Sequence, residues 1–210
     1  MDAKVETFLH CPEKPGTDGF ILTHGAGGNA NGPLLIVLAN ALSGADFTAV
    51  RYNLPFRQQR PFGPPRPASA EQDREGLKNE VAAMRKRVSG RVFLGGHSYG
   101  GRQSSMLCAE QPGLVEGLLL LSYPLHPPGK PEQLRTKHLP DLRTPTLFVS
   151  GTIDPFGSVA ELESARKLIP AKTKLLIIER AGHDLGFKGK SKREELPAAI
   201  LEAFKELMGL

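Results

Sequence analysis

The segment VFLGGHSYGGRQS, residues 92–104, holds a serine in a setting that could make it a nucleophile. Ser98 is the centre of the pentapeptide GHSYG, which joins an apolar run to the start of a helical pattern. In a G-x-S-x-G turn, glycines two residues either side of the serine prevent clashes where strand and helix approach closely. The serine hydroxyl is then exposed at the end of the strand, where it can attack a carbonyl carbon.

The same glycines also fit a different chemistry, because Gly96 and Gly101 have the spacing of a phosphate-binding loop. Such a loop requires a lysine and then a serine or threonine directly after its second glycine, to neutralise phosphate charge and to bind magnesium. Here Arg102 and Gln103 occupy these two positions. Both requirements fail, so the local sequence favours the nucleophile.

A serine hydroxyl is a poor nucleophile unless a base takes its proton, so Ser98 needs partners elsewhere in the chain. Where strands alternate with helices, the acid follows a later strand and the histidine follows the last one, in the chain order Ser, Asp, His. Asp154 follows the predicted strand 146–150, and His183 follows the predicted strand 174–179. We therefore predict a Ser98–His183–Asp154 triad. Asp184 ranks below Asp154 as the acid, since neighbours in sequence seldom point at each other.

A transition state with a negatively charged oxygen needs backbone amides beside the serine. The amide of Tyr99 opens the predicted helix after Ser98, and the second donor is expected in the loop after an early strand. That loop contains the sequence THGAGG, and we assign the amide of Ala26, with Gly25 allowing a close turn. His24 precedes this donor, and we expect it to hold the loop by a hydrogen bond rather than to act as a base.

His24 and Gly25 are also candidates for contact with the substrate, together with three further residues. Arg57 follows the turn NLPF and could meet a substrate carboxylate, although a solvated arginine is the commoner case. His126 and His138 lie in a segment expected to form part of the rim, where they could bind substrate or equally serve packing and loop hydrogen bonds. We expect no metal ion and no cofactor, because triad chemistry needs neither and the two cysteines have no metal-ligand spacing.

Short apolar strands alternate with amphipathic helices along the chain. Strands are predicted at 4–9, 19–23, 48–52, 91–94, 118–122, 146–150 and 174–179. Helices are predicted at 33–43, at 99–110, at 194–208, and behind two capping boxes, Ser69 with Gln72 and Ser158 with Glu161.

This alternation predicts a mostly parallel central sheet with helices on both faces, because the strands are apolar without interruption. We expect one domain over residues 1–210, in which the proline-rich stretches Pro55–Pro67 and Pro124–Pro131 are loops. The segment 123–145 between two central strands is too short for a cap domain. The site is therefore expected to be open.

Composition narrows the classes of partner. The net charge is +5, with 40% hydrophobic, 23% charged and 6% aromatic residues, which is typical of a soluble globular chain. No apolar run reaches the ~20 residues that a membrane span needs, and the N-terminus shows no signal peptide. The basic residues are scattered apart from Lys188–Arg193, which we interpret as a solvated loop rather than a nucleic-acid site. With only two cysteines, a cytoplasmic location is expected.

With these residues placed, the chain resembles the α/β-hydrolase superfamily over nearly its whole length. The resemblance is closest to small lidless members, namely dienelactone hydrolase-like proteins and predicted hydrolases similar to testis-expressed protein 30. It rests on the motifs LTHGAGGN, RYNLPF, GGHSYGGR, SYPLHPPGKPEQLRTKHL, GTIDPFG and AGHD. Dienelactone hydrolases proper use a cysteine nucleophile, and Ser98 departs from that pattern. The resemblance implies the α/β-hydrolase fold without a cap and a Ser-His-Asp site.

The leading hypothesis is a serine hydrolase that cleaves an ester or thioester of a small soluble substrate through an acyl-enzyme. A dinucleotide-binding domain is an alternative, since Gly25-x-Gly27-x-x-Ala30 matches that fingerprint. Its ribose-binding acid is missing, however, because the next strand ends in Asn53 and Asp46 precedes that strand. A third hypothesis is a non-catalytic interaction module that kept the fold.

Overall fold

The computed structural model describes residues 7–14, 16–187 and 194–210. Within these residues the chain forms one seven-stranded sheet in the order β1-β3-β2-β4-β5-β6-β7. Strand β1 runs antiparallel to β3, and all other neighbouring strands are parallel. The strands are β1 Thr7–His10, β2 Gly19–Thr23, β3 Thr48–Tyr52, β4 Val92–His97, β5 Gly117–Leu121, β6 Thr146–Gly151 and β7 Thr173–Ile178.

Helices cover both faces of this sheet, as the sequence predicts. They are α1 Pro33–Gly44, α2 Pro55–Gln59, α3 Ser69–Arg85, α4 Tyr99–Glu110, α5 Val159–Arg166 and α6 Leu196–Met208. Helices α1 and α6 pack into one apolar cluster, and α3, α4 and α5 pack into a second cluster on the other face. Strands β2, β5 and β6 are buried along their whole length, which explains why they read as uninterrupted apolar runs.

No cap domain interrupts the described part of the chain. The connection from β5 to β6 contains one short 3₁₀ helix, Leu139–Asp141, and is otherwise irregular. The Pro124–Pro131 stretch in this connection is a loop, as predicted. The carboxyl edge of the sheet, where β4 to β7 end, is therefore not covered by an inserted domain.

Several local predictions need correction. Ser69 is the first residue of α3 and caps nothing, since the N-cap is Ala68 and makes no side-chain hydrogen bond. The second capping box is confirmed, because Ser158 and Glu161 bond reciprocally at the start of α5. The predicted loop Pro55–Pro67 begins with α2, where Pro55 occupies a first turn that needs no backbone N–H.

Other predicted boundaries are off by a few residues. Strand β4 continues to His97, three residues beyond its predicted end, because the glycines of GGH pack within the sheet. Residues 4–6 of the predicted first strand and the basic run 188–193 lie outside the described residues.

Strand β4 and helix α4 approach so closely that only glycine fits at their junction. A Cβ on Gly101 would lie 2.6 Å from the carbonyl oxygen of Gly96, and a Cβ on Gly96 would lie 2.5 Å from the amide nitrogen of Gly101. Both obstacles are backbone atoms of buried elements, which cannot rotate out of the way.

Gly101→Ala is therefore expected to lower the free energy of unfolding by about 1–3 kcal/mol, although alanine is the better helix former. Urea denaturation would measure this. The control is Gly44→Ala at the end of α1, where a Cβ would meet no atom within 4 Å, so no loss is expected. Equal midpoints for Gly101→Ala and wild type would contradict this packing.

Candidate active site

Ser98 lies in a strained turn between β4 and α4. Its backbone has φ 51° and ψ −117°, a conformation that L-residues rarely adopt. The Ser98 amide donates to the carbonyl of Leu121 at 2.8 Å, and its carbonyl accepts from the amide of Arg102 at 3.0 Å. Anchored to β5 on one side and to the first turn of α4 on the other, the serine is held at the carboxyl edge of the sheet.

The structure brings the predicted partners of Ser98 together. His183 Nε2 lies 2.8 Å from Ser98 Oγ. On the other side of the ring, His183 Nδ1 lies 3.0 Å and 2.9 Å from the two carboxylate oxygens of Asp154. The Asp154 side chain is 1% exposed, and it also accepts from the amide of Phe156 at 2.9 Å. Residues from the ends of β4, β6 and β7 thus form one continuous line of hydrogen bonds.

Asp184, the lower-ranked candidate for the acid, bonds to a backbone amide. Its carboxylate accepts from the amide of Gly186 at 3.1 Å within the same loop. Two residues that were not predicted from the sequence contact His183. The Phe156 ring stacks on His183 at 4.0 Å, and His97 Nε2 lies 2.7 Å from the His183 carbonyl, to which it can donate. Their positions in GTIDPFG and GGHSYGG were the available signals.

The two segments chosen as amide donors both lie beside Ser98. A Cβ on Gly25 would be 3.3 Å from Ser98 Cβ, so the loop after β2 packs directly against the serine. The amide of Gly28 donates to the Gly25 carbonyl at 3.1 Å and closes a tight turn around Ala26. Tyr99 begins α4, where amides have no acceptor within the helix.

A buried carboxylate fixes the Tyr99 side chain. Asp73 accepts from the Tyr99 hydroxyl at 2.7 Å and from the amide of Phe56 at 3.0 Å. Burial raises the pKa of Asp73, and burial together with this carboxylate raises the pKa of Tyr99. Asp73 lies on α3, far from the site in sequence, and nothing in its local sequence indicated this contact.

Arg57 is neither a substrate contact nor a solvated side chain, which corrects both expectations. It is buried, and its guanidinium donates to four backbone carbonyls. The bonds reach Gly28 and Ala26 at 2.8 Å in the loop after β2, and Gly63 at 2.9 Å and Arg60 at 3.1 Å beyond α2. Arg57 therefore clamps the loop that carries Ala26, because carbonyls occupy its donors.

His24 holds the same loop. Its Nδ1 bonds to the Gly25 carbonyl at 2.8 Å, and its Nε2 accepts from the amide of Leu54 at 3.1 Å. This pattern defines the neutral ring with a proton on Nδ1. Burial lowers the pKa of His24 to about 4. A second proton, on Nε2, would in addition break the hydrogen bond from the Leu54 amide.

His126 and His138 are not among the described residues that line the cavity at Ser98. His126 Nδ1 bonds to the Pro127 carbonyl at 2.8 Å, and His138 Nε2 lies 2.8 Å from Ser105 Oγ. His126 therefore bonds within the β5–β6 connection, whereas His138 links this connection to α4. Hydrogen bonds that hold the connection are thus what the structure shows for both side chains.

Ser98 and His183 open on a cavity of about 590 Å³. Its walls come from the loop after β2, the start of α1, the first turns of α4, the β5–β6 connection and the loops after β6 and β7. Lining side chains that the sequence did not indicate as part of the site include Leu34, Leu35, His97, Arg102, Phe156 and Phe187. Among the described residues, no group of three or more His, Cys, Asp or Glu is placed to hold a metal ion.

The residues that match the dinucleotide-binding fingerprint have a structural role here. Asn53, at the position expected for a ribose-binding acid, accepts from the amide of Ala30 at 2.7 Å. The final position of the Gly25–Ala30 fingerprint is thus tied to the end of β3.

A family profile described as an alpha/beta hydrolase domain matches residues 17–208. This chain belongs to the α/β-hydrolase family. The match covers the whole sheet apart from β1, together with all three residues of the Ser98–His183–Asp154 line.

Solved structures share this α/β-hydrolase fold. A dienelactone hydrolase from Anabaena variabilis is 21% identical, with a TM-score of 0.75, over 98% of this chain and 91% of that chain. A lidless α/β serine hydrolase from Xanthomonas campestris is 18% identical, with a TM-score of 0.72, over 96% and 88%. Est1E from Butyrivibrio proteoclasticus, solved with ferulic acid, is 16% identical, with a TM-score of 0.76, over 98% and 96%. At these identities the likeness shows the fold. None of the helices described in this α/β hydrolase has the length and apolar character that a membrane span requires.

The buried neutral His24 predicts a pH dependence of stability. The pKa is lowered from 6.5 to about 4 on folding, so the unfolded chain binds the extra proton between these values. We expect the free energy of unfolding to be highest above pH 6.5 and to fall toward pH 4, by up to roughly 3 kcal/mol from this group. Chemical denaturation at a series of pH values would measure it.

The substitution His24→Gln should reduce the fall in the free energy of unfolding between pH 6.5 and pH 4. His138→Gln is the comparison, because burial also lowers the pKa of His138 to about 4, so it should remove a separate part. A wild-type slope in His24→Gln would show that the folded protein accepts the proton at His24 without cost.

Proposed function

We propose that this α/β hydrolase is a serine hydrolase that cleaves an ester or thioester of a small substrate through an acyl-enzyme on Ser98. The observation that carries the proposal is the line of hydrogen bonds from Ser98 Oγ through His183 to Asp154, at 2.8 Å and 2.9 Å. It ends at a nucleophile in a strained turn that opens on a cavity large enough for a small molecule.

In the proposed reaction, His183 Nε2 takes the proton of Ser98 Oγ as the oxygen attacks the substrate carbonyl carbon. Asp154 accepts from Nδ1–H throughout, so it fixes the tautomer and stabilises the imidazolium that forms. The amides of Ala26 and Tyr99 donate to the oxyanion. His183 then gives its proton to the leaving oxygen or sulfur. Water next attacks the acyl-enzyme carbonyl while His183 takes its proton, and this proton passes to Ser98 Oγ as the bond to the serine breaks and the free acid leaves.

The surroundings support this assignment in two ways. Arg57 and His24 fix the loop that presents the Ala26 amide, so the donor is positioned before substrate arrives. Phe156 and His97 restrain the His183 ring and backbone. We also propose a cytoplasmic protein, since Cys11 and Cys108 are both free thiols, which suits a reducing compartment.

The first test is covalent labelling with an uncharged fluorophosphonate ester, read by intact mass. We expect one adduct on the wild-type protein and none on Ser98→Ala, because only a serine activated by a base attacks phosphorus quickly. Ser105→Ala is the matched control, a buried serine on α4 outside the cavity lining, and should label like wild type. A folded wild-type protein without an adduct would favour the non-catalytic interaction module instead.

The acid can be tested separately. Asp154→Asn should lower kcat for a short-chain ester by roughly 10³–10⁴-fold, because the amide no longer favours a proton on His183 Nδ1. Asp184→Asn makes the same chemical change one residue from the histidine and should retain most of the activity. A larger loss in Asp184→Asn than in Asp154→Asn would reassign the acid.

A further inference from the structure

Two arginine side chains line the cavity beside Ser98. Arg102 is one helical turn after the serine on α4, and its amide donates to the Ser98 carbonyl at 3.0 Å. Its side chain lines the same cavity as Ser98 and Arg135. Arg135 enters from the β5–β6 connection, where its amide donates to the Leu125 carbonyl at 2.8 Å and its Nη1 to the Pro124 carbonyl at 3.2 Å.

Neither guanidinium is neutralised by the described part of the protein. No carboxylate in that part forms an ion pair with Arg102 or Arg135. By contrast, Arg74, Arg91 and Arg166 are each paired with a carboxylate. Asp184 also lines the cavity, in the loop after β7, where its carboxylate accepts from the amide of Gly186 at 3.1 Å. The Nε of Arg102 is buried and has no hydrogen-bond partner.

Two like charges close together at a partly buried site are costly. Burial lowers the pKa of Arg135, and the nearby Arg102 lowers it further, since two like charges disfavour each other. An anion between the two guanidinium groups would offset the repulsion and could accept a hydrogen bond from the Nε of Arg102. A carboxylate suits the site best, because the planar fork of an arginine matches its two oxygens.

Another part of the cavity wall is apolar. Leu34 and Leu35 come from α1, and they pack in the same cluster as Phe187 from the loop after β7. Helices α1 and α4 cover opposite faces of the sheet, and β4 ends between them at Ser98. A bound molecule would therefore meet leucine and phenylalanine on one side of the serine and two positive charges on the other.

We propose that the substrate is an ester or thioester that carries a free carboxylate, bound by Arg102 and Arg135, with an apolar group against Leu34, Leu35 and Phe187. This inference rests on the proposed serine hydrolase function and gives it a substrate class. The cationic subsite that the sequence analysis sought at Arg57 is thereby assigned to residues from α4 and from the β5–β6 connection.

The test compares kcat/KM for pairs of esters in which one member carries a carboxylate and the other is neutral and of similar size. One pair carries it on the acyl side, monomethyl glutarate against methyl hexanoate, followed in a pH-stat. The other pair carries it on the alcohol side, p-acetoxybenzoate against phenyl acetate. We expect the wild-type protein to prefer the charged ester of at least one pair by about 10-fold or more, and this preference to shrink with added salt.

Arg102→Met and Arg135→Met should each remove most of this preference through KM, while cleavage of the neutral ester continues. Arg102→Lys, which keeps a charge but loses the fork, should restore part of it. Arg143→Met, an exposed arginine after the 3₁₀ helix and outside the cavity, is the control and should behave like wild type. Labelling of Ser98 by the uncharged fluorophosphonate at the wild-type rate would show that the triad is intact in each variant.

The outcomes separate the two proposals. If wild type is labelled and cleaves neutral esters without preferring either charged ester, the carboxylate subsite is wrong and the serine hydrolase stands. A preference that survives in both methionine variants also overturns the subsite. If no ester is cleaved and Ser98 is not labelled, the hydrolase function fails, and the substrate class fails with it.

Discussion

The close contact between β4 and α4 is the constraint on which the site depends. Backbone atoms of Gly96 and Gly101 occupy the space where side chains would otherwise stand, so the chain must reverse within a single residue. That residue is Ser98, and the reversal forces its φ to 51°. The strain is held by buried elements on both sides, since β4 lies in the middle of the sheet and α4 packs into an apolar cluster. The hydroxyl is consequently presented at the sheet edge before any substrate binds.

Buried polar side chains then organise the loops around this turn. Arg57 and His24 hold the loop after β2 by bonding to its carbonyls, and Asp73 anchors Tyr99 from α3. Each would be expensive to bury alone, and each is satisfied by partners distant in sequence. The shared consequence is a rigid wall of backbone amides beside Ser98. Preorganised donors of this kind stabilise developing charge without having to move during the reaction.

The short β5–β6 connection has a second consequence besides leaving the site without a cap. It folds back on itself through hydrogen bonds of His126 and Arg135, and it thereby places one guanidinium in the cavity wall. Helix α4 adds Arg102 from the turn after Ser98. A few side chains thus give this chain its own charge pattern on a fold that many hydrolases share. We expect this pattern to determine which substrate binds.

The amino-acid sequence alone was sufficient for the sheet, for the helices on both faces and for the absence of a cap. Apolar runs, helical spacing and glycine turns are local properties that depend little on distant residues. It also selected Ser98, Asp154 and His183, because the carboxyl ends of parallel strands meet at one edge whatever the details of packing. It failed for side chains whose surroundings come from elsewhere in the chain. Whether an arginine meets solvent, a carbonyl or a cavity depends on which distant segments pack against it. For this reason the role of Arg57 was predicted wrongly and the place of Arg102 in the cavity was overlooked. Only the tertiary structure decided which arginine faces the cavity.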